Sequence, residues 1–278
     1  MMYPRFILEQ VRETEPVIQC ITNFVTVNDC ANILLAAGAT PTMAQDIREA
    51  EEAIQKNSGL VCNMGAIDMT ESMLLAGRMA NKLGKPVVLD PVGAGGTVIR
   101  RSTAAELLSG IRFTAIRGNA SEIKALAGVA NDGIGVDVGA LDKISEANVH
   151  EYAELCRKTA ARLGTVIAIS GPTDVISDGS RVLLIRNGDP VMARITGSGC
   201  MLTTLIGAFA AVPGADMLEA VASAVLVMDI AGELAKERLI MNHTGNATFR
   251  NDLIDAVFNM TAEEYYERSR VELIGSDM

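Results

Sequence analysis

The 278-residue chain carries 24 basic against 34 acidic side chains, a net charge of −10. That balance, with no basic run, repels phosphate backbones and argues against nucleic acid as a partner. Hydrophobic residues make up 49%, ample for one large buried α/β core.

The elements read in chain order as short apolar runs alternating with longer helical patterns. Residues 17–21, 60–62, 87–89, 114–116 and 166–169 are β-rich and bounded by Gly, Pro or Asn, which predicts buried strands. Between them, 28–37 ends at Gly38, 68–83 at Gly84 and 147–163 at Gly164, three helices with glycine stops. Strands alternating with helices predict an α/β fold, a mostly parallel central sheet with helices on both faces. Residues 175–177 and 181–185, joined by Asp178-Gly179-Ser180, read as a hairpin. From there the pattern is wholly helical, over 199–212, 217–236 and 247–260. No linker, repeat or low-complexity tract interrupts it, so the reading is a single domain over 1–278 with a helical C-terminal third.

The uncharged stretch 195–215 holds Gly197, Gly199, Gly207, three threonines and Pro213-Gly214, which suits a buried helix better than a membrane span. The N-terminal residues lack the pattern of a signal peptide. Five cysteines (Cys20, Cys30, Cys62, Cys156, Cys200) form no CxxC pair, and two histidines cannot complete a zinc site. They read as reduced thiols of a cytoplasmic protein.

Polar residues gather where the predicted strands end. Asn23 follows the first, Asn63-Met64-Gly65 the second, Asp90-Pro91-Val92-Gly93 the third, Arg117-Gly118-Asn119 the fourth and Ser170-Gly171 the fifth. Ligands of open α/β sheets bind at that edge. Asp90 at a buried strand tip needs a partner or a metal. Arg117 offers a phosphate-binding fork. Glu122 lies in the first turn of a helix capped by Asn119; it either pairs with the helix dipole there or, with Asp90, holds Mg²⁺ through water. Thr196-Gly197-Ser198-Gly199-Cys200 opens a long apolar helix. Its backbone N–H groups form an anion nest for a transferring phosphate, or else it is an ordinary glycine turn capped by Ser198. A thiol at such a helix start is expected to have a lowered pKa. The chain contains no P-loop, complete GxGxxG, HExxH or GxSxG motif.

Taken together, Ile21-Thr22-Asn23, Gly38-Ala39-Thr40-Pro41-Thr42-Met43, Asp90-Pro91-Val92-Gly93-Ala94-Gly95, Arg117-Gly118-Asn119-Ala120-Ser121-Glu122 and Thr196-Gly197-Ser198-Gly199-Cys200-Met201 resemble the hydroxyethylthiazole kinases of thiamin salvage, within the ribokinase-like superfamily. The likeness spans roughly 16–258 and implies ATP-dependent phosphorylation of the hydroxyl of 4-methyl-5-(2-hydroxyethyl)thiazole. It implies that Met43, Gly197 and Asn23 meet the thiazole and that Arg117, Ser170 and Gly199 meet ATP. Asp90 and Glu122 would organise Mg²⁺, and Cys200 would stand at the substrate hydroxyl, where most of the superfamily has aspartate. It also implies a homotrimer with the substrate site between subunits. Ser170 and Ser198 stand where threonine is common, and Gly96 where alanine is frequent. Three alternatives remain: a sister kinase for a pyrimidine or pyridine alcohol, which Cys200 argues against; a thiol hydrolase or transferase with Cys200 as nucleophile, for which His150 and His243 supply no obvious base; and a non-catalytic nucleotide-binding module.

Overall fold

A computed structural model describes residues 4–129 and 144–274 of the chain. It begins with α1 (Leu8–Thr14), β1 (Val17–Ile21), α2 (Val27–Ala36), β2 (Thr40–Thr42), α3 (Ala50–Lys56) and β3 (Gly59–Asn63). Then come α4 (Thr70–Lys82), β4 (Val87–Asp90), α5 (Val98–Gly110), β5 (Ala115–Asn119), α6 (Ala120–Val129), α7 (Val149–Leu163) and β6 (Val166–Ser170). The antiparallel strands β7 (Asp174–Ser177) and β8 (Val182–Ile185) precede α8 (Ser198–Ala210), α9 (Met217–Asn242), α10 (Asn246–Asn259), α11 (Ala262–Arg268) and β9 (Val271–Ile274).

Among the described residues these strands form one nine-stranded sheet, in the order β2-β1-β3-β4-β5-β6-β7-β8-β9. The first six positions are parallel, and β7, β8 and β9 are antiparallel. Alternate side chains feed two cores. Val61, Val88, Ala115, Ala168 and Ile176 face α2, α8, α9 and α10, while Cys62, Leu89, Ile116 and Ile167 face α3 to α7. The expected fold class is present, with helices on both faces.

The C-terminal third departs from the expectation of a wholly helical segment. Val271–Ile274 pairs with β8, with Leu273 opposite Leu183. Four residues are too few to show a period, and Leu273 is exposed on the edge strand. The uncharged stretch around α8 is a core helix: every residue from Met201 to Ala210 is buried. Among the described residues no helix is long and apolar enough to cross a membrane.

Candidate active site

The chain leaves β1 for the sheet edge at β2 and returns on the other side at β3, so the connections diverge at β1. Such a switch point opens a crevice beyond the C-terminal strand ends. Asn23, just past β1, and Asn63, at the tip of β3, meet there: the Asn23 Nδ2 donates to Asn63 Oδ1 at 3.2 Å. The next strands extend the row. Asn63 stands opposite Asp90, and the β4–β5 register, with Leu89 opposite Ile116, carries Arg117 beside Asp90. All three occupy the sheet face that α8 covers.

Helix α8 arrives through a left-handed Gly197 at φ +84°, where a Cβ would stand 2.6 Å from Thr26 Cγ2. Gly197 is the N-cap residue and no side chain caps this end. The alternative of a turn capped by Ser198 is therefore not met, and the first N–H groups of α8 are not consumed by a side-chain cap. One turn of α8 presents three site residues. Gly199 lies against the guanidinium of Arg117; a Cβ there would be 3.1 Å from Arg117 Cζ. Cys200 accepts from Asn63 Nδ2 at 3.2 Å and from Asn23 Nδ2 at 3.6 Å. Thr203 donates to Asp90 Oδ2 at 3.0 Å, an oxygen that also accepts from Asn63 Nδ2 at 3.0 Å.

On the far side, Arg117 Nη2 donates to Ser170 Oγ across the β5–β6 pair. Beyond it lies a cavity of about 200 Å³ lined by Asn119, Ala120, Ser121, Ile144, Ser170, Gly171 and Pro172. The strand-end edge thus holds a pocket, an arginine and a helix N-terminus in sequence, ending at Cys200 and the two asparagine amides.

The Hydroxyethylthiazole kinase family model matches residues 8–263. The chain belongs to the hydroxyethylthiazole kinase family. It is 46% identical over 269 residues to the hydroxyethylthiazole kinase of Clostridium acetobutylicum, covering 95% of this chain and 97% of that relative. The structure of the hydroxyethylthiazole kinase protein from Pyrococcus horikoshii OT3 superposes with a TM-score of 0.84 at 35% identity, covering 96% and 97% of the two chains. A Bacillus subtilis pyridoxal kinase solved as an ADP complex shares the ribokinase-like fold, at a TM-score of 0.57 and 18% identity over 77% of this chain and 90% of that one.

Within this family site, the sequence expectation fails at the state of Cys200. Burial pushes its thiol up from the ordinary range, and the nearby Asp90 charge adds to the rise, against hydrogen bonds from Thr26, Asn63 and Asn23. A helix start does lower a thiol pKa where solvent reaches it; here desolvation and a neighbouring carboxylate win. The resting group is a thiol. No imidazole serves it, for His150 and His243 are both exposed and neither partners Cys200. That weighs against the thiol hydrolase alternative.

The acids divide their work. Glu122 and Asn119 form a reciprocal cap: Asn119 Oδ1 accepts the Glu122 N–H at 2.9 Å and Glu122 Oε2 accepts the Asn119 N–H at 2.8 Å. Its Oε1 accepts the Gly93 N–H at 3.0 Å and so ties down the glycine loop. Asp90 is buried and its Oδ1 has no hydrogen-bond partner. Burial, with the Glu122 charge, pushes Asp90 up to about 6 despite Arg117, Thr203 and Cys200. A free carboxylate oxygen in the interior suits a hard cation. Among the described residues no three His, Cys, Asp or Glu side chains form a metal cage. Mg²⁺ takes one or two carboxylates and completes its shell with water and phosphate, so the free oxygen of Asp90 fits it.

Met43 follows β2, half-buried against the core that α8 shares. Two residues without an assigned role in the sequence reading prove central. Asn63 saturates both ends of its amide, with Gly65 N–H also donating to Oδ1 at 2.8 Å. Thr203 donates to the same Asp90 oxygen as Asn63 and leaves Oδ1 free. The strand-end position of Asn63, in register with Asp90, was the available signal.

Proposed function

We propose that the chain, as a single kinase domain over 1–278, transfers the γ-phosphoryl group of ATP to the hydroxyl of 4-methyl-5-(2-hydroxyethyl)thiazole in a cytoplasmic thiamin-salvage step. The observation that carries the reading is the first turn of α8, which abuts Arg117 at Gly199 and presents Cys200 at the next residue. A single helix start thereby joins a phosphate-binding arginine to the group that meets the acceptor hydroxyl.

Arg117, Ser170 and Gly199 bind ATP, with the nucleotide entering beside the 170–172 turn. Met43, Gly197 and Asn23 seat the thiazole, the soft thioether of Met43 lying on its ring. Asp90 and Glu122 would hold Mg²⁺ through water, and the ion would supply charge neutralisation at the phosphate oxygens. Phosphoryl transfer passes through a loose transition state, so alignment and charge neutralisation supply most of the rate. Arg117 and the uncapped N–H groups of α8 face that developing charge. Cys200, a thiol at rest, steers the hydroxyl without forming a bond to phosphorus, and the hydroxyl proton leaves late, to an oxygen of the transferred phosphate; the two asparagine amides hold the sulfur in place. Five free cysteines, four of them buried, suit a reducing compartment.

Assembly as a trimer with a shared site is supported by apolar surface beside Asn23: Phe24 is 89% exposed, and Val25 and Leu35 are also exposed. A coupled ADP-release assay with MgATP tests the activity. Turnover should favour the thiazole alcohol over hydroxymethylpyrimidine and pyridoxal. Equal or faster turnover of a pyrimidine alcohol would overturn the assignment, and binding of ATP without transfer would return the non-catalytic module.

A further inference from the structure

Behind Arg117 lie two acids that the reaction as described does not use. Asp174 opens β7 and Asp229 sits mid-way along α9; both are buried, at 4% and 6% exposure. The sheet register places Asp174 on the face of Arg117. Arg117 is opposite Ala168, Ala168 is opposite Ile176, and Asp174 lies two residues from Ile176 on the same side. Helix α9 covers that face, its Val225, Val227 and Met228 sharing a core with Ala168 and Ile176. The two carboxyls come together there, and the charge of Asp174 acts on Asp229.

Two neighbouring carboxylates within a dry interior cannot both ionise, so the pair keeps a proton between them. Asp229 Oδ2 has no donor from elsewhere in the protein. Asp174 Oδ1 accepts the Gly171 N–H at 3.0 Å. The remaining charge faces Arg117, whose positive field reaches both acids. Glu233, the other acid facing Asp229, is already matched: it accepts from Arg270, from Asn187 Nδ2 at 3.1 Å and from the Gly188 N–H at 2.9 Å. Arg117 Nε is itself buried without a partner, so the guanidinium depends on the surrounding field as well as on Ser170.

We propose that Asp174 and Asp229 form a carboxyl pair holding one shared proton and one negative charge, and that this single charge positions Arg117 and the 170–174 turn for ATP. The proposal rests on the reading of Arg117 as a phosphate ligand. Both acids are positioning residues, for neither lines the nucleotide cavity. The shared proton sets a counting rule. Replacing either acid by asparagine leaves one carboxylate and supplies an amide donor in place of the acid proton. Replacing both removes the charge.

The test compares Asp174→Asn, Asp229→Asn and the double variant, reading KM for ATP and for the thiazole alcohol separately. Each single variant should stay close to wild type. The double should raise KM for ATP about tenfold or more, the scale of one unbalanced charge interaction, and leave the thiazole KM unchanged. A double variant that matches the singles, a single as impaired as the double, or an equal loss for both substrates would overturn the pair. Carboxyl ¹³C resonances of the wild-type protein, assigned with the two singles, give a second readout that does not need the double to fold. One protonated and one ionised group at neutral pH are expected, and two ionised groups would refute the proposal. Arg117→Ala separates the two levels. If it leaves ATP binding intact, the phosphate site is misplaced; if it weakens ATP while the double Asn variant does not, only the carboxyl pair fails.

Discussion

A single methyl group at Gly199 should silence the phosphate site without disturbing the fold. A Cβ built there collides with Arg117 Nη1 and comes within 3.1 Å of both Cζ and Nη2. These atoms end a flexible side chain, so the guanidinium swings aside and α8 stays. Gly199 is the second residue of that helix, where alanine is at least as good a helix former, so stability should hold or rise slightly. The displaced arginine loses its bond to Ser170 and its aim at the transferring phosphate. Removing one preorganised donor of this kind costs about 2.7–4 kcal/mol of transition-state stabilisation, a hundred- to thousandfold in kcat. Arg117→Ala should cost a similar amount, and the double variant should cost no more than either alone, because both changes remove the same interaction. Steady-state kinetics and thermal melts on the four proteins read the cycle. Additive losses, or a Gly199→Ala variant as active as wild type, would show that Arg117 does not act through its seat on α8.

Further outcomes are open to direct measurement. Cys200→Ala should slow turnover by up to about 10²-fold, the scale of a misplaced reacting group, and leave measurable transfer. Cys200→Asp should remain active, since Asn23 and Asn63 can donate to a carboxylate as they do to sulfur; a dead aspartate variant with normal ATP binding, or a trapped phosphothiol, would rule the role out. Phe24→Asp should split a trimer in sedimentation runs and lower activity with it; a fully active monomer would remove the shared site. Burial pushes Asp174 up to about 6 and Asp229 well above its ordinary range. The folded chain therefore keeps a proton that the unfolded chain releases above pH about 4, and stability falls as pH rises from about 4 through 6 and beyond. Asp229→Asn should accordingly melt higher than wild type at alkaline pH, with the gap closing toward pH about 4. A gap that does not change with pH would contradict a buried, proton-sharing pair.

What the sequence made legible follows from the range over which its signals act. The strands around residues 17–21, 60–62, 87–89 and 166–169 were readable because both faces of each are buried, leaving apolar runs between turn residues. β2 escaped notice because Thr40–Thr42 is three residues with a proline at its centre. The short helices α1 and α3 fill only two turns each. Helix α5 escaped because its first apolar residues, Val98 and Ile99, are exposed, while Thr103, Ala104 and Leu107 make the buried face. Its pattern does not mark the side that packs.

The active edge was legible for a different reason: burying a charge or an amide at a strand tip is costly enough to stand out in an apolar run. Asp90 and Arg117 announce themselves that way, and the reciprocal bonds of Asn119 and Glu122 follow from their three-residue spacing. The pairing of Asn63 with Cys200 spans 137 residues, and local pattern carries no record of it. Register does carry part of it. Once β3 lies beside β4, Asn63 must share a face with Asp90, and any helix landing on that face brings its first side chains to both. The same logic applies to Asp229. A single acid inside the apolar run 220–231 is too costly to leave unpartnered, and the only sheet face that α9 covers already holds Asp174 and Arg117. The cost of burying a charge thus marks a residue as unusual from sequence, while the sheet register decides which other unusual residue it must meet.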